Sequence, residues 1–88
     1  MIARRIVVSG RVQGVFFRDS TRRTAQARGV AGWVRNRDDG TVEAHLEGDA
    51  DAVESVIAWT RKGPSRAEVS GVDVRDVDPE NLSGFEAR

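Results

Sequence analysis

The sequence predicts an α+β domain: an antiparallel sheet with two helices packed on one face, in the order β-α-β-β-α-β with a short strand appended. Three observations lead there. Several short segments alternate apolar and polar residues with period two, two longer segments are built of helix formers, and glycine, aspartate or proline stands at the breaks between them.

The first segment, "RRIVVSG", is a strand with Ile6 and Val8 on one face. "FFRDSTRRTAQAR" is a helix stopped by Gly29, only weakly amphipathic, so its start is not fixed by pattern. "VAGWVRNR" and "TVEAHLEG" are two strands joined by the turn "RDDGT" into a hairpin. In the second of them Val42, Ala44 and Leu46 oppose Glu43, His45 and Glu47. Asp49 is placed to cap "ADAVESVIAWTRKG", where Val53, Val56, Ile57 and Thr60 recur at helical spacing and Gly63-Pro64 ends the run. "AEVSGVDVRDV" is the fourth long strand, with Gly71 marking a bulge, and "GFEAR" a short last one. This order is the split βαβ, or ferredoxin-like, arrangement. Right-handed crossovers put both helices on one face. The other face is then expected to be open to water, with Glu43, His45 and Glu47 on it.

The chain of 88 residues reads as one domain over 1–88. With no cysteine and one histidine it has no disulfide framework and no nitrogen or sulfur ligand set for a metal. An all-carboxylate Mg²⁺ or Ca²⁺ site stays open, although no Asp-rich loop has the right spacing for one. Fourteen basic residues balance fourteen acidic ones, which argues against nucleic-acid or membrane-surface binding. No stretch has the apolar length of a signal peptide or membrane span, so a cytoplasmic monomer is expected.

Chemistry concentrates in "GRVQGVFFR", Gly10 to Arg18. A strand-to-helix turn with glycine at both ends of "GRVQG" can curl so that successive backbone N–H groups point inward beside a helix N-terminus, which is an anion site. Arg18 sits at its rim, with a planar fork able to take two phosphate oxygens. Val12, Val15, Phe16 and Phe17 are expected to hold the loop against the core. The same residues also fit an ordinary glycine-containing turn with a solvent-facing arginine. Walker A and dinucleotide-binding loops are excluded by the glycine spacing and the missing Gly-Lys-Ser/Thr. Asn36, at the end of the second strand, reads either as a strand-end cap or as an amide that holds a water molecule.

"GRVQGVFFR" followed by "GWVRNRDDGTVE" resembles the acylphosphatase family, and the similarity continues through "LEGDADAVESVIAWTRKGPSRAEVSGVDV", so that it spans nearly the whole chain. The resemblance implies the ferredoxin-like fold and hydrolysis of the carboxyl-phosphate bond of acyl phosphates without metal or cofactor. It implies that phosphate lies in the loop Val12, Gln13, Gly14, Val15, Phe16, Phe17 and Arg18, that Arg18 binds it, and that Asn36 positions the attacking water. Two departures stand out. Arg37 follows Asn36 where threonine is frequent, and the ending "GFEAR" carries Ala87 where many members have a β-branched residue. In some members the C-terminal region supports the phosphate-binding arginine, so that support is open here.

The residues suit an easy substrate. There is no nucleophile with a paired base, and His45 is assigned no catalytic role. An acyl phosphate expels a carboxylate whose conjugate acid has a pKa of about 4 and so needs no general acid, unlike an alkyl ester. Two other classes share the fold. An RNA-binding module needs aromatics on the central strands, and "RIVVSG" and "TVEAHLEG" have none. A non-catalytic anion-binding regulatory domain would keep the pocket without turnover. Trp33 and Trp59 read as packing groups.

Overall fold

The computed structural model describes residues 1–88. Its elements are β1 (Ile2–Arg11), α1 (Phe17–Ala27), β2 (Ala31–Asn36), β3 (Val42–Gly48), α2 (Ala50–Thr60), β4 (Glu68–Asp76) and β5 (Phe85–Ala87). The strands form one sheet in the order β4-β1-β3-β2-β5. The four long strands pair antiparallel, and β5 joins the β2 edge in parallel, so the complete sheet is mixed.

Period-two patterning sets the register. Ile6 lies opposite Ala44 and Val8 opposite Val42. Val34 meets Ala44 from the other side. These residues are all buried, and Val53, Val56 and Ile57 of α2 join them in the core. The α1 helix contributes Phe17, Thr21 and Ala25, spaced four apart and therefore on one face. Phe17 packs on Trp59 with ring centroids 5.6 Å apart. Asp49 takes the N-cap position of α2, but its side chain makes no capping hydrogen bond. The bulge falls beside Gly71: Ser9 pairs with Gly71 and Gly10 with Val69, leaving Ser70 as the extra residue. Gly10, at φ 118°, meets it so closely that a Cβ would lie 2.1 Å from the Glu68 carbonyl oxygen.

One expectation is overturned. Glu43, His45 and Glu47 do share a face, but His45 and Glu47 are buried rather than open to water. The segment 77–84, which runs from β4 to β5, covers them. Glu47 accepts hydrogen bonds from the backbone N–H of Glu80 (2.8 Å) and of Leu82 (3.0 Å), and pairs with His45 Nε2 at 2.7 Å. Trp33 stacks on His45 and donates its indole N–H to Glu80. Glu43 is bracketed by Arg5 and Arg35. Alternation reveals which residues share a face, and it carries no information about a later segment crossing that face.

Candidate active site

The first crossover turns on five residues, Val12 to Phe16, between β1 and α1. Two of them have left-handed backbone conformations, Gly14 at φ 76° and Phe16 at φ 62°. Glycine adopts this freely, whereas a bulky L residue pays about 1 kcal/mol or more. Val12, Val15 and Phe17 are buried and fix the loop to the core. Phe16 is not part of that anchor, contrary to expectation. Its backbone turns the ring outward, where it is 74% exposed and edges the cleft described next.

None of the backbone N–H groups of Val12, Gln13, Gly14, Val15 and Phe16 donates to a protein acceptor. The α1 N-cap, Phe16, supplies no side-chain acceptor either. The result is a run of unpaired donors at the positive end of a helix, the chemistry of an anion cradle. The loop borders a cleft of about 380 Å³ lined by Val12, Gly14, Phe16, Phe17, Arg18 and Asn36, with Asp19 and Ala87 completing the wall. Arg18, from the first turn of α1, and Asn36, from the end of β2, therefore reach one space from two elements.

The supports of these residues are specific. The Gln13 side-chain amide donates to the carbonyls of Arg37 (2.7 Å) and Thr41 (2.9 Å), tying the loop to the β2–β3 turn just beyond Asn36. Its side chain is thus committed to joining the two halves of the site, and only its backbone remains for an anion. Arg37 enters this tie through its main chain, and its N–H bonds back to Thr41. An arginine in place of threonine leaves those contacts intact. Arg18 Nη1 donates to the main-chain oxygen of Arg88 at 2.6 Å. Arg88 is held in turn by its N–H on the Val34 carbonyl and by its guanidinium over Trp33, 4.8 Å from the ring centroid. The C-terminal strand therefore supports Arg18. Phe85, buried opposite Gly32, anchors that strand, and exposed Ala87 carries little of the packing.

Asp19 is a residue of the cleft wall that sequence reasoning did not single out. A hydrogen bond from Arg22 at 2.6 Å holds its carboxyl below the usual range against the opposing effect of desolvation, and the charges of Arg23 and Arg22 add to the lowering. Its negative charge is answered locally by two arginines. A signal existed in the i, i+3 and i+4 spacing of Asp19, Arg22 and Arg23. No group of three or more His, Cys, Asp or Glu side chains is gathered closely enough to hold a metal ion. No helix is long and apolar enough to cross a membrane.

Comparison with known proteins agrees with this geometry. The family model described as Acylphosphatase matches residues 4–87. An acylphosphatase of Natronomonas pharaonis is 53% identical over 83 residues, covering 94% of this chain and 90% of that protein. One of Rubrobacter xylanophilus is 54% identical over 85 residues, covering 96% of this chain and 77% of that protein. The crystal structure of acylphosphatase from Bacillus subtilis superposes with a TM-score of 0.97 at 38% identity, covering 100% of this chain and 99% of that one. Full-length HypF in its phosphate- and nucleotide-bound form contains a similar unit, with a TM-score of 0.88 at 27% identity over 99% of this chain and 12% of that one. An unpaired amide loop, an arginine at its rim and an asparagine across the cleft thus occur on a chain that belongs to the acylphosphatase family.

Proposed function

We propose that this chain, an acylphosphatase by family, holds the transferring phosphoryl group in the loop Val12–Arg18 and aligns the attacking water with Asn36. The observation that carries the reading is the run of unpaired N–H groups from Val12 to Phe16, in a loop whose Val12, Gly14 and Phe16 line one cleft with Arg18 and Asn36.

The chemistry follows from charge and position. Phosphoryl transfer needs the charge on the equatorial oxygens balanced and the nucleophile in line. Backbone amides and the α1 N-terminus supply fixed donors that need not reorganise, and the Arg18 fork supplies a full positive charge. Arg18 reaches the cleft already oriented by Arg88, which lowers the cost of ordering a long side chain. The Asn36 amide can accept a hydrogen bond from water and donate one to phosphate. The water oxygen bonds phosphorus as the carboxylate oxygen departs with the bonding electrons. A phosphate oxygen of the substrate takes the water proton, and no general acid is needed for a leaving group with a conjugate-acid pKa of about 4. The reading comprises one domain acting as a monomer in the cytoplasm on a small acyl phosphate, without cofactor.

The test is hydrolysis of benzoyl phosphate with EDTA present. Full activity is expected, with little on alkyl phosphate monoesters. Loss in EDTA with recovery in Mg²⁺ would overturn the reading. Inorganic phosphate should inhibit competitively and shift the amide resonances of Val12 to Arg18. Shifts confined to the sheet face under 77–84 would move the site elsewhere.

A further inference from the structure

A second depression lies on the other side of the phosphate loop. Arg11, Gln13, Gly14, Val15, Arg66 and Glu68 line it, and its volume is about 570 Å³. Gly14 borders both this space and the cleft of Arg18 and Asn36, so the two adjoin at one residue. A Cβ at Gly14 would meet nothing within 4 Å, so no side chain crowds that position.

The charges of this second space are not balanced locally. Several other guanidinium groups are answered by carboxylates: Arg5 and Arg35 by Glu43, Arg22 and Arg23 by Asp19. Arg11 and Arg66 form no ion pair and no side-chain hydrogen bond. Glu68 is the direct cross-strand neighbour of Arg11, yet the two side chains do not pair. Two cations and one anion leave the depression positive, while the chain as a whole has a formal net charge of zero.

We propose that the Arg11–Arg66 depression receives a second anionic group carried on the acyl side of the substrate, making this enzyme selective for acyl phosphates with an additional carboxylate or phosphate. The inference rests on the placement of the phosphoryl group in the Val12–Arg18 loop, from which the acyl part crosses Gly14. A guanidinium fork matches either anion, and both arginines sit at the water boundary, where an ion pair changes affinity severalfold.

Benzoyl phosphate and 4-carboxybenzoyl phosphate test this, because they differ by one charge and the para carboxylate cannot reach its own acyl phosphate group. At low ionic strength the wild type should show a kcat/KM about fivefold higher for the carboxylated substrate. Arg66→Gln and Arg11→Gln should each lower that ratio about twofold, and the double variant should abolish it. Benzoyl phosphate turnover should stay within about twofold of wild type, Arg66→Lys should keep part of the preference, and Glu68→Gln should raise it. High salt should erase the preference. Calorimetry with the matching benzoylphosphonates reads the same ratio without turnover. An unchanged ratio in both arginine variants, or an equal fall for both substrates, overturns the inference while normal benzoyl phosphate hydrolysis leaves the catalytic reading standing. Absence of benzoyl phosphate hydrolysis instead defeats the catalytic reading, and the phosphonate ratio still decides the depression's role.

Discussion

Arg18 and Asn36 enter one cleft from different elements, so substitutions at them separate two parts of the reaction. On the proposed reading Arg18 interacts with phosphate in both ground and transition states. Arg18→Gln should therefore lose phosphate inhibition together with turnover, and Arg18→Lys should recover little, since a point charge replaces a two-pronged donor that Arg88 orients. On the same reading Asn36 acts on the water. Asn36→Ala should lower kcat by roughly a hundredfold, about 3 kcal/mol, and leave the phosphate inhibition constant nearly unchanged. Steady-state kinetics with phosphate as inhibitor, and circular dichroism as the folding check, decide both. Normal kcat in folded Asn36→Ala would remove it from the water site, and loss of phosphate inhibition would move it into the cradle. At this scale the motif made legible that Arg18, Asn36 and the glycine-containing loop belong together, because a backbone cradle needs glycine and bidentate capture needs arginine. The side-chain tie of Gln13 was not legible. Its partners are main-chain carbonyls more than twenty positions away, and a carbonyl has no residue signature.

The elements show how support reaches the site from a distance. Segment 77–84 lies across the sheet, fastened by Glu47, and delivers β5 to the edge of β2, where Arg88 meets Arg18. Glu47→Ala should strand the N–H groups of Glu80 and Leu82 and unpair His45, all beneath a covered surface. The expected loss of stability is about 3 kcal/mol or more, read from urea unfolding. Glu47→Gln keeps an acceptor oxygen and should lose less. If the segment positions Arg18, folded Glu47→Ala should also bind phosphate more weakly and show faster proteolysis between Val77 and Gly84. Unaltered phosphate inhibition with destabilisation alone would limit Glu47 to a structural role. The four long strands, both helices and the short last strand were readable because periodicity and turn residues are local signals. The parallel pairing of β5 and the cover over His45 and Glu47 were not, because the irregular stretch after β4 carries no period that reveals its path.

For the whole molecule, pH acts through a balance of fourteen acidic and fourteen basic residues. Glu47 is the buried carboxylate whose ionisation folding favours. Burial alone would raise its pKa, but the N–H donors of Glu80 and Leu82 and the bond to His45 outweigh burial, and the carboxyl is held below its ordinary range. A folded pKa below the unfolded one means that the unfolded chain takes up the proton more readily. The stabilisation is complete above the unfolded pKa, about 4.3 for glutamate, and is lost as pH falls through the lower folded value. Stability from this source should be level from pH 8 to 6 and decline below about pH 4.5. Below that range the other carboxylates also neutralise, leaving the fourteen lysine and arginine charges to repel one another. Glu47→Gln cannot titrate at this position, so its acid limb should be shallower than that of the wild type. The stability difference between the two proteins should shrink from pH 7 to pH 3.5, and urea unfolding at pH 7, 5 and 3.5 measures it. A difference that stays constant across those three values would show that Glu47 titrates alike in the folded and unfolded chain, and that the hydrogen bonds from segment 77–84 do not set its charge.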